Sequence, residues 1–263
     1  MNPTSSSLNF ESIEINDKFC GPPKSGNGGY IAGITANKIR KNAVMIKIKA
    51  PAPLNQSLFF TTNASNNGIN LLSKETNELI AVASEDPDFT MNVPELNLLS
   101  LVEIENPTQE YLGFRKHPFP TCFVCGPKRA PKDGMRIFSA KISDQTGFTN
   151  LHGAFWNPWK SLGNTEGLIR NEFVWAALDC PGGFAVSYVD PTMIVLAKLR
   201  GKLLESIFTE VPYAILSWEI GRNRRQRIAG TAIYRITDRK CMSYSEALWM
   251  VPGNWNPENQ KDL

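Results

Sequence analysis

No stretch of this 263-residue chain approaches the roughly 20 consecutive apolar residues of a membrane-spanning helix, so no membrane span is expected. The opening residues, Met1 to Ser7, lack a basic patch followed by an apolar core, and no secretory signal is read there. Histidine is scarce: His117 and His152 are the only two, and neither falls in a helical segment, which argues against chemistry built on a histidine base. No glycine-rich phosphate loop, serine elbow or dinucleotide fingerprint appears, and no cofactor is expected. The formal charge of +3 is too small and too dispersed to predict a nucleic-acid partner. The one dense basic cluster, Arg222, Arg224, Arg225 and Arg227, falls where a hairpin turn is expected; it reads as a solvated turn or as a contact for a phosphate-bearing ligand. Five cysteines, at 20, 122, 125, 180 and 241, are an odd number in a chain of this size. They suit reduced thiols in a cytoplasmic protein better than a disulfide scaffold.

What the chain does contain is two related segments. Glu172-Phe-Val-Trp-Ala-Ala-Leu-Asp179-Cys-Pro-Gly-Gly183 is a small and apolar run interrupted by one carboxylate and then a proline. On a continuous helix Glu172 and Asp179 share a face two turns apart, and a carboxylate so placed is costly unless it is paired, hydrogen-bonded or used. Asn27-Gly-Gly-Tyr-Ile-Ala-Gly-Ile-Thr-Ala36-Asn37 repeats the pattern without the acid, whose equivalent falls on Ala36.

Each segment is followed by alternating stretches of strand character. Helices are expected over 28–40 and 171–188. The first is preceded by a strand at 8–17 and followed by strands at 43–50, 56–65, 69–73 and 79–85. The second is preceded by strands at 135–142 and 147–155 and followed by strands at 194–207, 214–222, 227–237 and 241–250. Residues 87–120 lack sustained periodicity and read as a connector with some local helix. A helix followed by a meander, twice over, argues against a parallel sheet. The units are placed at 8–115 and 120–255.

With Gly28-Gly29-Tyr-Ile-Ala in the first half and Val174-Trp-Ala-Ala-Leu-Asp179 in the second, the chain resembles the acyl-CoA thioesterase-like hotdog superfamily in its double-hotdog form. Glu219-Ile-Gly-Arg-Asn-Arg225 with Ala229-Gly-Thr-Ala-Ile233 is similar to the late hairpin of those proteins. Cys122-Phe-Val-Cys125-Gly-Pro with Asp133-Gly-Met-Arg-Ile137 is similar to bacterial members of the group. The resemblance implies an α+β fold of two curved antiparallel sheets, each wrapping a central helix and joined into one continuous sheet. It also implies hydrolysis of an acyl-CoA or related thioester, with no cofactor. Carried over by position, the N–H groups of Gly29 and Tyr30 polarise the thioester carbonyl, and Asp179 directs water or attacks. A helix N-terminus suits that task because it carries orphan donors and a partial positive charge.

Two positions depart from the pattern. Asn27 stands where many members carry histidine, and Asn171-Glu172 replaces the second glycine pair, so at most one competent site per chain is expected. Asn27, Gly28, Phe173 and Trp175 are the further substrate-binding candidates, with Tyr30, Phe173 and Trp175 lining an apolar tunnel and the four hairpin arginines near its mouth. Asp179 reads equally as a core carboxylate satisfied by its neighbours. Cys122 and Cys125 form a single pair, which His117 or Cys20 would complete as a metal site only if folding brought them close; no metal is expected. Cys180 reads as a small buried residue. Alternative functions are a non-catalytic acyl-CoA or lipid binder on the same fold, a hotdog dehydratase or hydratase, and an assembly module whose sheets form homo-oligomer interfaces.

Overall fold

A computed structural model describes residues 12–63, 67–105, 111–187 and 193–253. The ends expected for the first strand (8–11), the second strand after the first helix (64–65), the second helix (188) and the second unit (254–255) lie outside the described residues.

Eleven strands form one antiparallel sheet among the described residues. In chain order they are β1 (Ser12–Glu14), β2 (Ala43–Ile48), β3 (Ser57–Asn63), β4 (Gly68–Ser73), β5 (Leu79–Glu85), β6 (Ala140–Lys141), β7 (Thr149–Trp156), β8 (Val195–Leu203), β9 (Tyr213–Asn223), β10 (Gln226–Arg235) and β11 (Cys241–Met250). Across the sheet they run β1-β3-β4-β5-β2-β8-β11-β10-β9-β7-β6, so the two halves have mirrored orders that meet at β2 and β8. The seam is a run of antiparallel pairs from Ala43↔Lys202 to Lys47↔Lys198. Within it Gly201, opposite Val44, leaves room for an indole: a Cβ there would stand 2.7 Å from the Trp175 ring.

The first helix, α1 (Gly28–Ala36), is buried along nearly its whole length because it packs on β2 and β5 and also against α3 (Asn171–Ala177). Burial on two sides explains why its apolar residues form no stripe. Gly29 and Gly33, one turn apart, make the helix contact possible. A Cβ at Gly33 would stand 2.5 Å from Glu172 Cα and 2.9 Å from Trp175 Cβ.

The second helix expected over 171–188 is in fact two. It stops at Ala177, turns through Leu178 and Asp179, and resumes as α4 (Cys180–Ser187), which packs on β7, β9 and β10. Pro181 is the cause, since it offers no N–H to the carbonyl four residues back and its ring crowds that carbonyl. Sheet hydroxyls meet the carbonyls around the break: Ser245 Oγ donates to Leu178 O at 3.0 Å and Ser217 Oγ to Pro181 O at 2.9 Å.

The connector is more structured than its lack of periodicity suggested. Residues 87–105, including α2 (Leu98–Glu105), cover the face of the second-half sheet opposite α4, where Phe89, Leu96 and Ile104 pack with Leu151, Leu216, Trp218 and Tyr234. The stretch expected as a strand from 135 is not one until Ala140. Instead Met135 N–H and Ile137 N–H donate to the carbonyls of Phe123 and Val124, at 2.8 and 2.9 Å, holding the cysteine-bearing loop in the core.

Because the atoms facing Gly33 are backbone or the root of a buried side chain, Gly33→Ala is expected to destabilise the protein by about 1–3 kcal/mol in urea denaturation. Gly221→Ala, facing open space, is expected to stay within about 0.5 kcal/mol of the parent.

Candidate active site

The break between α3 and α4 places Asp179 against the N-terminus of α1. Its Oδ2 accepts from the Gly29 N–H at 2.9 Å and from Asn27 Nδ2 at 3.3 Å, while Oδ1 has no partner among the described residues. The side chain is 1% exposed. Burial pushes its carboxyl up to about 7, against the stabilising hydrogen bond from Gly29 and with a further push from the neighbouring Cys122. No ion pair compensates it among the described residues.

The approach depends on glycine. A Cβ at Gly29 would lie 2.4 Å from Asp179 Cβ and 2.8 Å from both Ala176 Cα and Trp175 O. Of the three orphan donors of the first turn, Tyr30 N–H is capped by Asn27 Oδ1 at 2.9 Å and Gly29 N–H is held by Asp179. Gly28 N–H has no acceptor among the described residues. Of the two carried-over donors, then, the structure brings Gly29 to Asp179 and ties Tyr30 to the helix cap. At the other end of the same helix pair, Glu172 accepts from Asn37 Nδ2 at 3.1 Å and lies 3.5 Å from Arg170 Nε. Glu172 and Asp179 therefore serve opposite ends of α1 and do not share a helical face.

A largely apolar cavity of about 460 Å³ adjoins Asp179. Asn27, Gly28, Ile31, Phe119, Phe184, Leu196 and Trp249 line it, together with Cys122, Cys125 and Cys180. Tyr30, Phe173 and Trp175, expected as tunnel walls, do not. Tyr30 stacks on Phe19 with ring centroids 4.4 Å apart, and Phe173 joins them with Phe123 in an aromatic cluster. Trp175 fills the notch over Gly201. A helix buried on all sides gives its sequence no mark of which face meets a cavity.

The hairpin arginines also stand back from the cavity. Arg222 pairs with Glu219 at 2.5 Å, Arg225 Nε donates to Val251 O at 2.8 Å, and Arg227 Nη1 donates to Arg224 O at 2.7 Å in the turn itself. The cations that do line the cavity are the exposed Lys49 and Lys116. Neither carried a signal in sequence beyond being a lysine next to an apolar stretch.

Spacing alone did not place two further groups, His117 of the connector and a cluster of three cysteines. His117 lines the cavity; its Nδ1 accepts from Phe119 N–H at 2.9 Å, which leaves the ring proton on Nε2, and burial lowers its pKa. His152 lies elsewhere, buried in β7 with its pKa pushed down to about 4 by burial. Cys122 and Cys125 meet Cys180, with Cys122 Sγ 3.8 Å from Cys180 Sγ and all three sulfurs within 4.8 Å of one another. Cys20 is not in this group. Hydrogen bonds from the other two thiols hold the Cys122 thiol below its ordinary value, and burial pushes that of Cys125 up.

No family model matches the sequence, and no curated protein matches it. Solved structures match its shape over nearly the whole length. The acyl-CoA thioesterase II TesB2 from Mycobacterium marinum aligns over 97% of this chain and 96% of its own, with a TM-score of 0.60 and 5% identity. The tesB protein of Mycobacterium avium subs paratuberculosis aligns over 93% and 96%, with a TM-score of 0.58 and 9% identity. A hot dog fold protein of unknown function from Alicyclobacillus acidocaldarius aligns over 94% and 95%, with a TM-score of 0.56 and 13% identity. The likeness is one of fold, that of a double hotdog. No helix among the described residues is long and apolar enough to cross a membrane.

Asn27 both caps α1 and donates to Asp179, so Asn27→Ala is expected to lower stability by about 0.5–2 kcal/mol in chemical denaturation. Asn27→Ser, which keeps a cap acceptor, should recover most of that loss.

Proposed function

We propose that the chain hydrolyses an acyl thioester, with acyl-CoA as the substrate class, at the N-terminus of α1. The observation that carries this reading is the buried Asp179 carboxylate 2.9 Å from the Gly29 N–H, at the edge of an apolar cavity large enough for an acyl chain. A carbonyl seated there takes hydrogen bonds from the first-turn donors: Gly28 N–H, which no described group accepts, and Gly29 N–H on release from Asp179. These donors sit at the positive end of the helix, where the negative charge of a tetrahedral oxyanion is best stabilised. Tyr30 N–H joins them only if Asn27 gives up the cap. Asp179 directs a water onto the carbonyl carbon and takes its proton, and collapse of the adduct expels the thiolate, which takes that proton and leaves as the free thiol. Alternatively Asp179 attacks directly, the thiolate leaves, and a water then hydrolyses the resulting anhydride, supplying the thiol's proton and regenerating the carboxylate.

The two halves, 8–115 and 120–255, are read as hotdog units, each sheet wrapping its own helix, with one site between them. The mirrored strand order and the seam at β2 and β8 support that division. The converse site is unarmed, since Ala36 stands where the acid belongs and Glu172 occupies the donor end. Five free cysteines favour the cytoplasm as the place of action. A hydratase or dehydratase is the second reading, because His117 lines the same cavity as Asp179.

Assays across acyl lengths with Asp179→Asn as control are the direct test. Loss of a general base costs about 10²–10⁴-fold in rate, so turnover should fall that far with the circular dichroism spectrum and acyl-CoA affinity unchanged. A variant as fast as its parent would return the site to the binding-protein reading. Gly29→Ala should also slow hydrolysis, because the added methyl displaces Asp179. Glutamate at both Lys49 and Lys116 should raise KM for acyl-CoA but not for a short acyl-pantetheine, which lacks the nucleotide phosphates. Equal effects on the two substrates would remove the lysines from the phosphate site. Hydration of an enoyl thioester that His117→Ala abolishes would favour the second reading.

A further inference from the structure

The three cysteines that meet beside the cavity come from two distant segments, the loop at 122–125 and the start of α4. As neutral thiols they would be small apolar fillers needing no donors. Asn27 Nδ2 nevertheless points at Cys122 Sγ from 3.7 Å and at Cys180 Sγ from 3.6 Å. A donor aimed at two of three converging sulfurs suits thiolates, and uncompensated thiolates do not persist in an apolar interior.

We propose that Cys122, Cys125 and Cys180 form a three-thiolate site for a zinc-class divalent cation, its fourth coordination position turned to the cavity.

Spacing supports the assignment. With a zinc–sulfur distance of about 2.3 Å, two thiolates on one tetrahedral ion stand roughly 3.8 Å apart. The Cys122–Cys180 separation is 3.8 Å. The remaining edges, within 4.8 Å, need to close by no more than about 1 Å. The loop has the form of a metal knuckle: Gly126 N–H returns to Cys122 O at 2.9 Å, and a Cβ at Gly126 would strike that oxygen at 2.5 Å. Thiolate ligands select zinc, copper(I) or iron–sulfur clusters, and a single compact triad of sulfurs fits one ion. His117 does not complete the set, because Phe119 N–H occupies its Nδ1 and so keeps the proton on Nε2. Binding releases the thiol protons to solvent and fixes a loop that has no strand or helix of its own at these cysteines.

The test needs no substrate, so its outcome is independent of the hydrolase reading. The full chain is purified under a non-chelating reductant, its zinc measured by elemental mass spectrometry, and the ion then exchanged for cobalt(II). The expected results are about one zinc per chain and thiolate-to-cobalt charge-transfer bands in the near ultraviolet. Cys122→Ser and Cys125→Ser should each lower metal affinity by at least ~10-fold with the far-ultraviolet dichroism unchanged. Should either variant fail to fold, the cobalt spectrum of the parent still decides. A parent that binds neither zinc nor cobalt, cobalt bound without thiolate bands, uptake of copper(I) alone, or folded serine variants that retain the ion would each overturn the proposal.

Discussion

Everything at the candidate site depends on how closely α1 and α3 approach each other. Gly29 and Gly33 present bare backbone to Ala176, Trp175 and Glu172, and any side chain at either position would overlap them. Small residues one turn apart let two helix axes come together, and the antiparallel sense of the pair sets the C-terminal end of α3 over the first turn of α1. The carboxylate that follows α3 thereby lands on the positive end of a helix dipole. Without that approach Asp179 would lose its hydrogen bond from the Gly29 N–H.

A second constraint is the break at Leu178 and Asp179. A helix running unbroken to Ser187 would commit the Asp179 region to internal hydrogen bonds and aim its side chain by helical geometry alone. Pro181 prevents this, and Ser217 and Ser245 donate to carbonyls on either side of the break. Hydroxyls from the sheet face beneath the helices thus hold a local irregularity in place. The same break turns Cys180 towards Cys122 and Cys125, so the acid and the thiol cluster share one structural cause.

The halves of the molecule are alike in order and unlike in chemistry. At one end of the helix pair a carboxylate faces backbone N–H groups; at the other, Glu172 is met by Asn37 and Arg170 near the surface. Burial separates the two acids. Glu172 keeps water and a cation within reach, whereas Asp179 is desolvated and its carboxyl is pushed up to about 7.

Much of this was written in local sequence. The period-2 stretches pointed to the meanders, the small and apolar run beginning at the glycine pair pointed to α1, and an acid inside an apolar run pointed to Asp179, because each signal depends only on neighbours along the chain. Pro181 is equally local, and its missing N–H and crowding ring outweigh the apolar pattern that runs on through it. What tertiary structure alone decided was orientation and convergence. Tyr30, Phe173 and Trp175 sit on helices buried on every side, so hydrophobicity does not say which of them faces a cavity. Arg222, Arg225 and Arg227 are used by nearby carbonyls and Glu219, while Lys49 and Lys116 gain their place only from the fold around them. Cys180 joins a pair 55 residues distant because a strand seam, a proline break and an aperiodic loop all meet at one point, and no window of sequence contains all three.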